Sequence, residues 1–128
     1  MILLSHIREL LKEDVQCTQW HLNKMTTQKE HSITLYNLPQ EQIKVPLGGI
    51  GCSTYAKKKI SILIHWGKVS DEAERKAQEI VTTLMNWNGK TLGNQRVAMC
   101  HVTGPIYVGI DDEGIIEYVV KTTISYQR

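Results

Sequence analysis

Cys100 and His101 stand side by side, and a thiol next to an imidazole is the pairing that nucleophilic catalysis uses. Both fall in a predicted strand, where successive side chains leave opposite faces, so without a bulge they do not meet on one substrate. His65-Trp66 has the same geometry. His6, His21 and His31 sit in separate predicted elements, and neither His-x-x-x-His nor Cys-x-x-Cys occurs, so a zinc site is not expected. Cys17, Cys52 and Cys100 are odd in number and lie 35 and 48 positions apart, which fits a reducing compartment rather than a secreted disulfide framework.

The densest acidic group is Asp111-Asp112-Glu113, followed by Gly114. Adjacent carboxylates in a tight turn do not converge as the alternating ligands of a calcium loop do. Gly48-Gly49-Ile50-Gly51 superficially resembles a phosphate loop, but no Gly-Lys-Ser/Thr follows it and no helix starts behind it. No Gly-x-Ser-x-Gly elbow is present. Nor do paired carboxylates flank an evident cleft, as a glycosidase requires. Lys57-Lys58-Lys59 is the basic run of the chain, with Tyr55 close by and Lys44 and Lys68 as further members of a possible phosphate-binding patch. Three lysines entering a strand are more often a solvated edge that discourages sticky pairing. No catalytic residue, cofactor site or metal site emerges.

The elements that would position these residues can be read from periodicity. A first helix is expected from Ile2 to Asp14, with Leu3, Ile7, Leu10 and Leu11 as its apolar stripe and Leu4 and Val15 beside it. A strand is possible over Cys17–Leu22, and a second is expected around Ile33–Tyr36, ending at Leu38-Pro39. Thr26–Glu30 reads as an exposed turn, and Pro39 to about residue 57 as a mobile loop rich in glycine. Lys57–Trp66 is a strand with Ile60, Ile62, Ile64 and Trp66 on one face. A second helix starts at Ser70 or Asp71, where Asp71 and Glu74 have capping-box spacing, and reaches Trp87. Its buried stripe is Ala73, Ala77, Ile80, Leu84 and Trp87, and Asp71–Arg75 and Glu72–Lys76 are spaced as ion pairs.

Three strands follow. Gln95–Thr103 should carry Val97, Met99 and His101 on one face, Gly104-Pro105 should turn the chain, and Ile106–Ile110 should be short. After an acidic hairpin turn, Ile115–Tyr126 is a long strand with Ile116, Tyr118, Val120, Ile124 and Tyr126 together. A strand so long in so small a chain invites pairing with a neighbouring subunit. The expected class is α+β: an antiparallel or mixed sheet packed by two helices, in the order α-β-(loop)-β-α-β-β-β.

The chain's 128 residues suit one domain with a core that needs no disulfide. Its apolar fraction of 41% and charged fraction of 22% exclude disordered, collagen-like and coiled-coil classes. A net charge of +2 gives no obvious nucleic-acid or anionic-membrane footprint. Met1–Leu4 is too short an apolar run for a signal peptide or a membrane span, so synthesis in the cytoplasm is expected.

Four blocks in this order, IRELLKE, KKKISILIHWGK, SDEAERKAQEIVTTLMNW and GPIYVGIDDEGIIEYVVKTTISYQR, resemble the minor capsid or tail-terminator proteins of long-tailed bacteriophages and prophages. The last block is the most specific, and the Thr26–Glu30 and Pro39–Tyr55 segments depart from the pattern. The resemblance implies a virion structural protein without catalytic residues. It also implies a ring, commonly a hexamer, that caps the tail tube and meets the head connector, with DNA only passing through. The partners implied are further copies of the chain, the major tail tube protein and the head connector or completion protein, with no membrane. A ring subunit contacts its neighbours through two different surfaces. One is expected at the edge of the C-terminal strand or at Asp111, Asp112 and Glu113, with Glu117 and Tyr118 beside them, and the other at Lys57, Lys58 and Lys59. Reversing Asp111 and Asp112 to lysine should then impair assembly and leave the fold intact. The alternatives are a small nucleic-acid-binding module using Lys57–Lys59 and a small enzyme with a site around Cys100 or the acidic turn.

Overall fold

A computed structural model describes residues 2–23, 30–39 and 55–127. The expected loop falls largely outside the described residues, as does most of the Thr26–Glu30 turn. The elements run α1 (Leu4–Asp14), β1 (Gln19–Leu22), β2 (Ser32–Asn37), β3 (Tyr55–His65), α2 (Ser70–Met85), β4 (Thr91–Leu92), β5 (Gln95–Ile110) and β6 (Ile116–Gln127). They build the expected α+β fold: two helices on a six-stranded mixed sheet of order β1-β2-β3-β6-β5-β4, in which only β1 and β2 are parallel.

Alternation along β3 and β6 creates the core. Ile60, Ile62 and Ile64 project to one face with Val120 and Ile124 of the neighbouring strand, and Ile33 and Leu35 extend that face across β2. Ala73, Ala77, Ile80 and Leu84 of α2, with Trp87 just beyond it, close over the apolar floor. Burying isoleucine and leucine side chains of this size is worth about 1.5–3 kcal/mol each. Helix α1 adds Leu4, Ile7 and Leu11. It touches β1 and β2 on one side and β4 on the other, so the sheet curls until strands from its two ends meet one helix.

The helix starts differ from the sequence expectation. Helix α1 begins at Leu4, so Leu3 is its exposed N-cap while Ile2 and Leu4 are buried. Helix α2 has Val69 as N-cap with no side-chain cap bond, and Asp71 lies inside the first turn. There its carboxylate faces the helix's positive end without capping it. Lys76 does not wait for Glu72. It pairs with Glu79 at 2.9 Å, donates to the Gln16 carbonyl at 3.1 Å and lies over the Trp66 ring.

The largest correction concerns β5. Gly104-Pro105 does not turn the chain, and the two expected strands are one strand of 16 residues. Its register against β6 slips by one residue at three places: between Val97 and Met99, between Thr103 and Ile106, and between Tyr107 and Gly109. Each slip exchanges the faces of every residue after it. Val97 is therefore buried while Met99 is 54% exposed, and Cys100 and Val102 take the core face in place of Met99 and His101. Gly104 is required at its bulge: its φ is +123°, and a Cβ there would come within 3.0 Å of the Val119 carbonyl.

The long C-terminal strand is also not an edge. β6 is paired along its length with β3 on one side and β5 on the other, which removes it as a free strand for a neighbour. β4 pairs only with Gln95 and Arg96. Among the described residues no strand covers the outer edge of β5 beyond Val97, whose backbone is bonded to Gly89 and Lys90.

Leu84 is fully buried against this floor. Leu84→Ala should cost about 2–5 kcal/mol and lower the urea and thermal midpoints together. Unchanged midpoints would show that α2 does not hold the sheet as described.

Candidate functional site

The residues that converge lie at one end of the sheet, where β3 ends, β6 begins and the β5–β6 turn folds over. Alternation places His65, the last residue of β3, directly opposite Glu117 on β6. Asp111, the first residue after β5, completes the group. His65 is only 1% exposed, and its Nε2 lies 2.7 Å from Oδ2 of Asp111, itself 14% exposed. The other oxygen of Asp111 accepts from the backbone N–H groups of Glu113 and Ile115, each at 2.9 Å. These bonds, His65 foremost, hold the Asp111 carboxyl below the usual carboxylate range. Gly114 supplies the left-handed residue of the turn at φ +83°, and its N–H donates to the Asp111 carbonyl at 3.0 Å.

The acidic run is thus a turn, as its composition suggests, but its members do different work. Asp111 is the organiser, partnered on both oxygens, whereas Asp112 and Glu113 are exposed. The expectation that Asp111 and Asp112 could be reversed together without harm to the fold is therefore corrected. A lysine at 111 would remove three accepted bonds and leave the buried His65 facing a cation. Tyr118 is half-buried next to Glu117 and meets Tyr107 edge-on at 5.6 Å. Burial, then Glu74 and Tyr107, raise its hydroxyl pKa.

Lys57, Lys58 and Lys59 occupy the opposite end of β3, across from Ser125, Ile124 and Thr123. Seven residues of strand, about 23 Å at 3.3 Å per residue, separate Lys58 from His65. Lys57 and Lys59 share one face, while Lys58 lies on the face of Ile60, where burial lowers its pKa. Lys68 lies at the far, acidic end beside Gly114, and Lys44 is outside the described residues. The phosphate patch considered from sequence is not assembled by these lysines.

Cys100 and His101 separate as strand alternation requires: the thiol is turned toward the core and the imidazole is exposed. Burial pushes the Cys100 thiol up to about 12. Burial likewise raises Cys17, whose sulfur lies 3.2 Å and 2.9 Å from the carbonyls of Gln19 and His31. Neither is tuned as a nucleophile, which needs a lowered pKa. Cys52 lies outside the described residues. Among the described residues, no helix is long and apolar enough to cross a membrane.

What sequence reasoning missed is His65. Its sequence neighbour Trp66 gives no hint of its partners, Asp111 and Glu117, which lie 46 and 52 positions downstream. The antiparallel register of β3 and β6 sets Glu117 opposite His65, and that long-range pairing leaves no local signal in the sequence.

Two predictions follow from this geometry. Asp111→Ala should lower the thermal midpoint, because His65 and two turn N–H groups lose their acceptor, while Asp112→Ala should leave it unchanged. Equal midpoints for the two variants would remove Asp111 from its organising role. At pH 8 the Cys100 thiolate fraction is on the order of one in ten thousand, so iodoacetamide should modify Cys100 only after denaturation. Rapid alkylation of the native protein at that residue, mapped by mass spectrometry, would contradict its burial.

A family model described as "Bacteriophage tail terminator protein" matches residues 13–128. No curated protein matches the chain. One solved structure that bears no descriptive name aligns over 99% of this chain and 96% of its own, at 14% identity and a TM-score of 0.48. So distant a likeness carries no argument. The matched family is one of structural phage tail proteins and not of enzymes. With all but the first twelve residues inside the match, the chain belongs to the bacteriophage tail terminator protein family.

Proposed function

We propose that the chain caps the phage tail tube as a ring, a hexamer in the assembled tail, and joins the tube to the head connector. Its partners are then further copies of itself, the major tail tube protein and the head connector or completion protein, at the head–tail junction of the virion. DNA meets it only in passing through the ring.

The observation that carries this reading is the distal half of β5. Beyond Val97 its outer edge has no partner strand among the described residues, and Ile106, Tyr107, Val108 and Ile110 are exposed along it. An open edge bearing apolar side chains is the surface on which another chain adds strands or packs. It replaces the edge of β6, which is already filled on both sides. A ring also needs a second, different surface. Lys57, Lys58 and Lys59 lie at one end of β3, and Asp112, Glu113, Glu117 and Tyr118 lie around the other. That polarity suits head-to-tail contact, in which the exposed charges steer and align and the apolar arm supplies most of the adhesion.

The test uses Ile106→Lys with Ile110→Lys, both exposed in the subunit. The double variant should fold with an unchanged thermal midpoint and fail to complement particle assembly. Electron microscopy should then show tails of uncontrolled length or unjoined heads and tails. Asp112→Lys with Glu113→Lys should give a weaker, salt-sensitive defect. Normal yields of joined particles from the apolar double variant would remove β5 from the interface. Normal particles without the protein would end the tail-cap reading.

A further inference from the structure

The end of the sheet that holds the turn brings together three side chains of metal-binding type from three different elements. The ligand atoms of His65, Asp111 and Glu117 all lie within 4.8 Å of one another. We propose that these residues form a binding site for one divalent transition-metal cation of the zinc class. The inference stands independently of the ring.

The donor set is one imidazole and two carboxylates. It suits zinc and its first-row neighbours better than calcium, which prefers an all-oxygen shell. Ligands about 2.1 Å from a tetrahedral ion lie about 3.4 Å apart. His65 and Asp111, now 2.7 Å apart, would need to open by a fraction of an ångström. Glu117, on a rotatable side chain, would close by up to about 1.4 Å from the widest separation of 4.8 Å.

Two features fit a ligand site better than an ordinary surface pair. His65 is buried to 1%, so its orientation is set by packing before any ion arrives, and preorganisation of this kind supports metal affinity. Asp111 has one oxygen held by two backbone N–H groups, which leaves Oδ2 aimed at the cluster. Access is available as well: Gly109 lies opposite Glu117, and a Cβ built on it would meet nothing within 4 Å. The remaining coordination positions would go to water.

The experiment is isothermal titration of the purified full chain with zinc chloride, alongside magnesium chloride, followed by long-range 1H–15N spectra of the histidine rings. Saturable binding of one Zn2+ per chain is expected, with the ring signals of His65 moving and those of His6, His21, His31 and His101 unmoved. Glu117→Gln should weaken that binding on the order of tenfold or more and leave the fold unchanged. His65→Gln should abolish it; if that variant does not fold, Glu117→Gln alone decides. Absence of saturable Zn2+ binding, binding that survives Glu117→Gln, or ring shifts at histidines other than His65 would each overturn the proposal. Mg2+ binding as tight as Zn2+ would overturn its assignment to the zinc class.

Discussion

The rest of the fold depends on the antiparallel ladder between β3 and β6. It joins residues 55–65 to residues 117–127, strands about sixty positions apart in sequence, and aligns Ile60, Ile62 and Ile64 with Thr122, Val120 and Tyr118. Only after that register is set does a continuous apolar floor exist for α2 to cover. Shifting it by one residue would turn Val120 and Ile124 to the other face and strand the isoleucines of β3 against polar neighbours. Register and core are therefore one constraint.

The same ladder explains why the turn end of the sheet is ordered. Its last rung sets Glu117 against His65, and the turn that precedes β6 must begin at Asp111 for its carboxylate to reach the buried ring. A side chain that caps two N–H groups and binds a third donor replaces the apolar burial that an exposed hairpin tip lacks. The price of burying His65 is offset by that bond. The bonds that fix the turn therefore lie next to the distal end of β5, whose outer edge has no partner strand among the described residues.

Membership of the tail terminator family agrees with what the described residues offer chemically. The thiols of Cys17 and Cys100 are raised by burial instead of activated. Three lysines divide between two faces of a strand. The exposed large apolar side chains concentrate on β5 instead, at Met99, Ile106, Tyr107, Val108 and Ile110. Among the described residues the outer edge of that strand beyond Val97 has no partner strand, and Leu3, Tyr55, Val69 and Met85 are the other exposed large apolar side chains.

Some of this was legible in the residues alone. The isoleucine alternation of β3, the stripe of α2, the turn at Asp111–Gly114 and the α+β class all depend on local periodicity, which sequence reports directly. The order of four blocks was enough to point to the family. The three slips in β5 were not legible. A bulge adds one residue against the partner strand, and neither Val97-Ala98 nor Tyr107-Val108 differs in composition from regular strand. Gly104-Pro105 has the composition of a turn, yet here pairing with β6 carries the strand through it. The interior position of β6 and the meeting of His65 with Asp111 and Glu117 were decided by long-range pairing. Contacts between residues about fifty positions apart leave no periodic trace in the chain, and only the closed sheet brings them together.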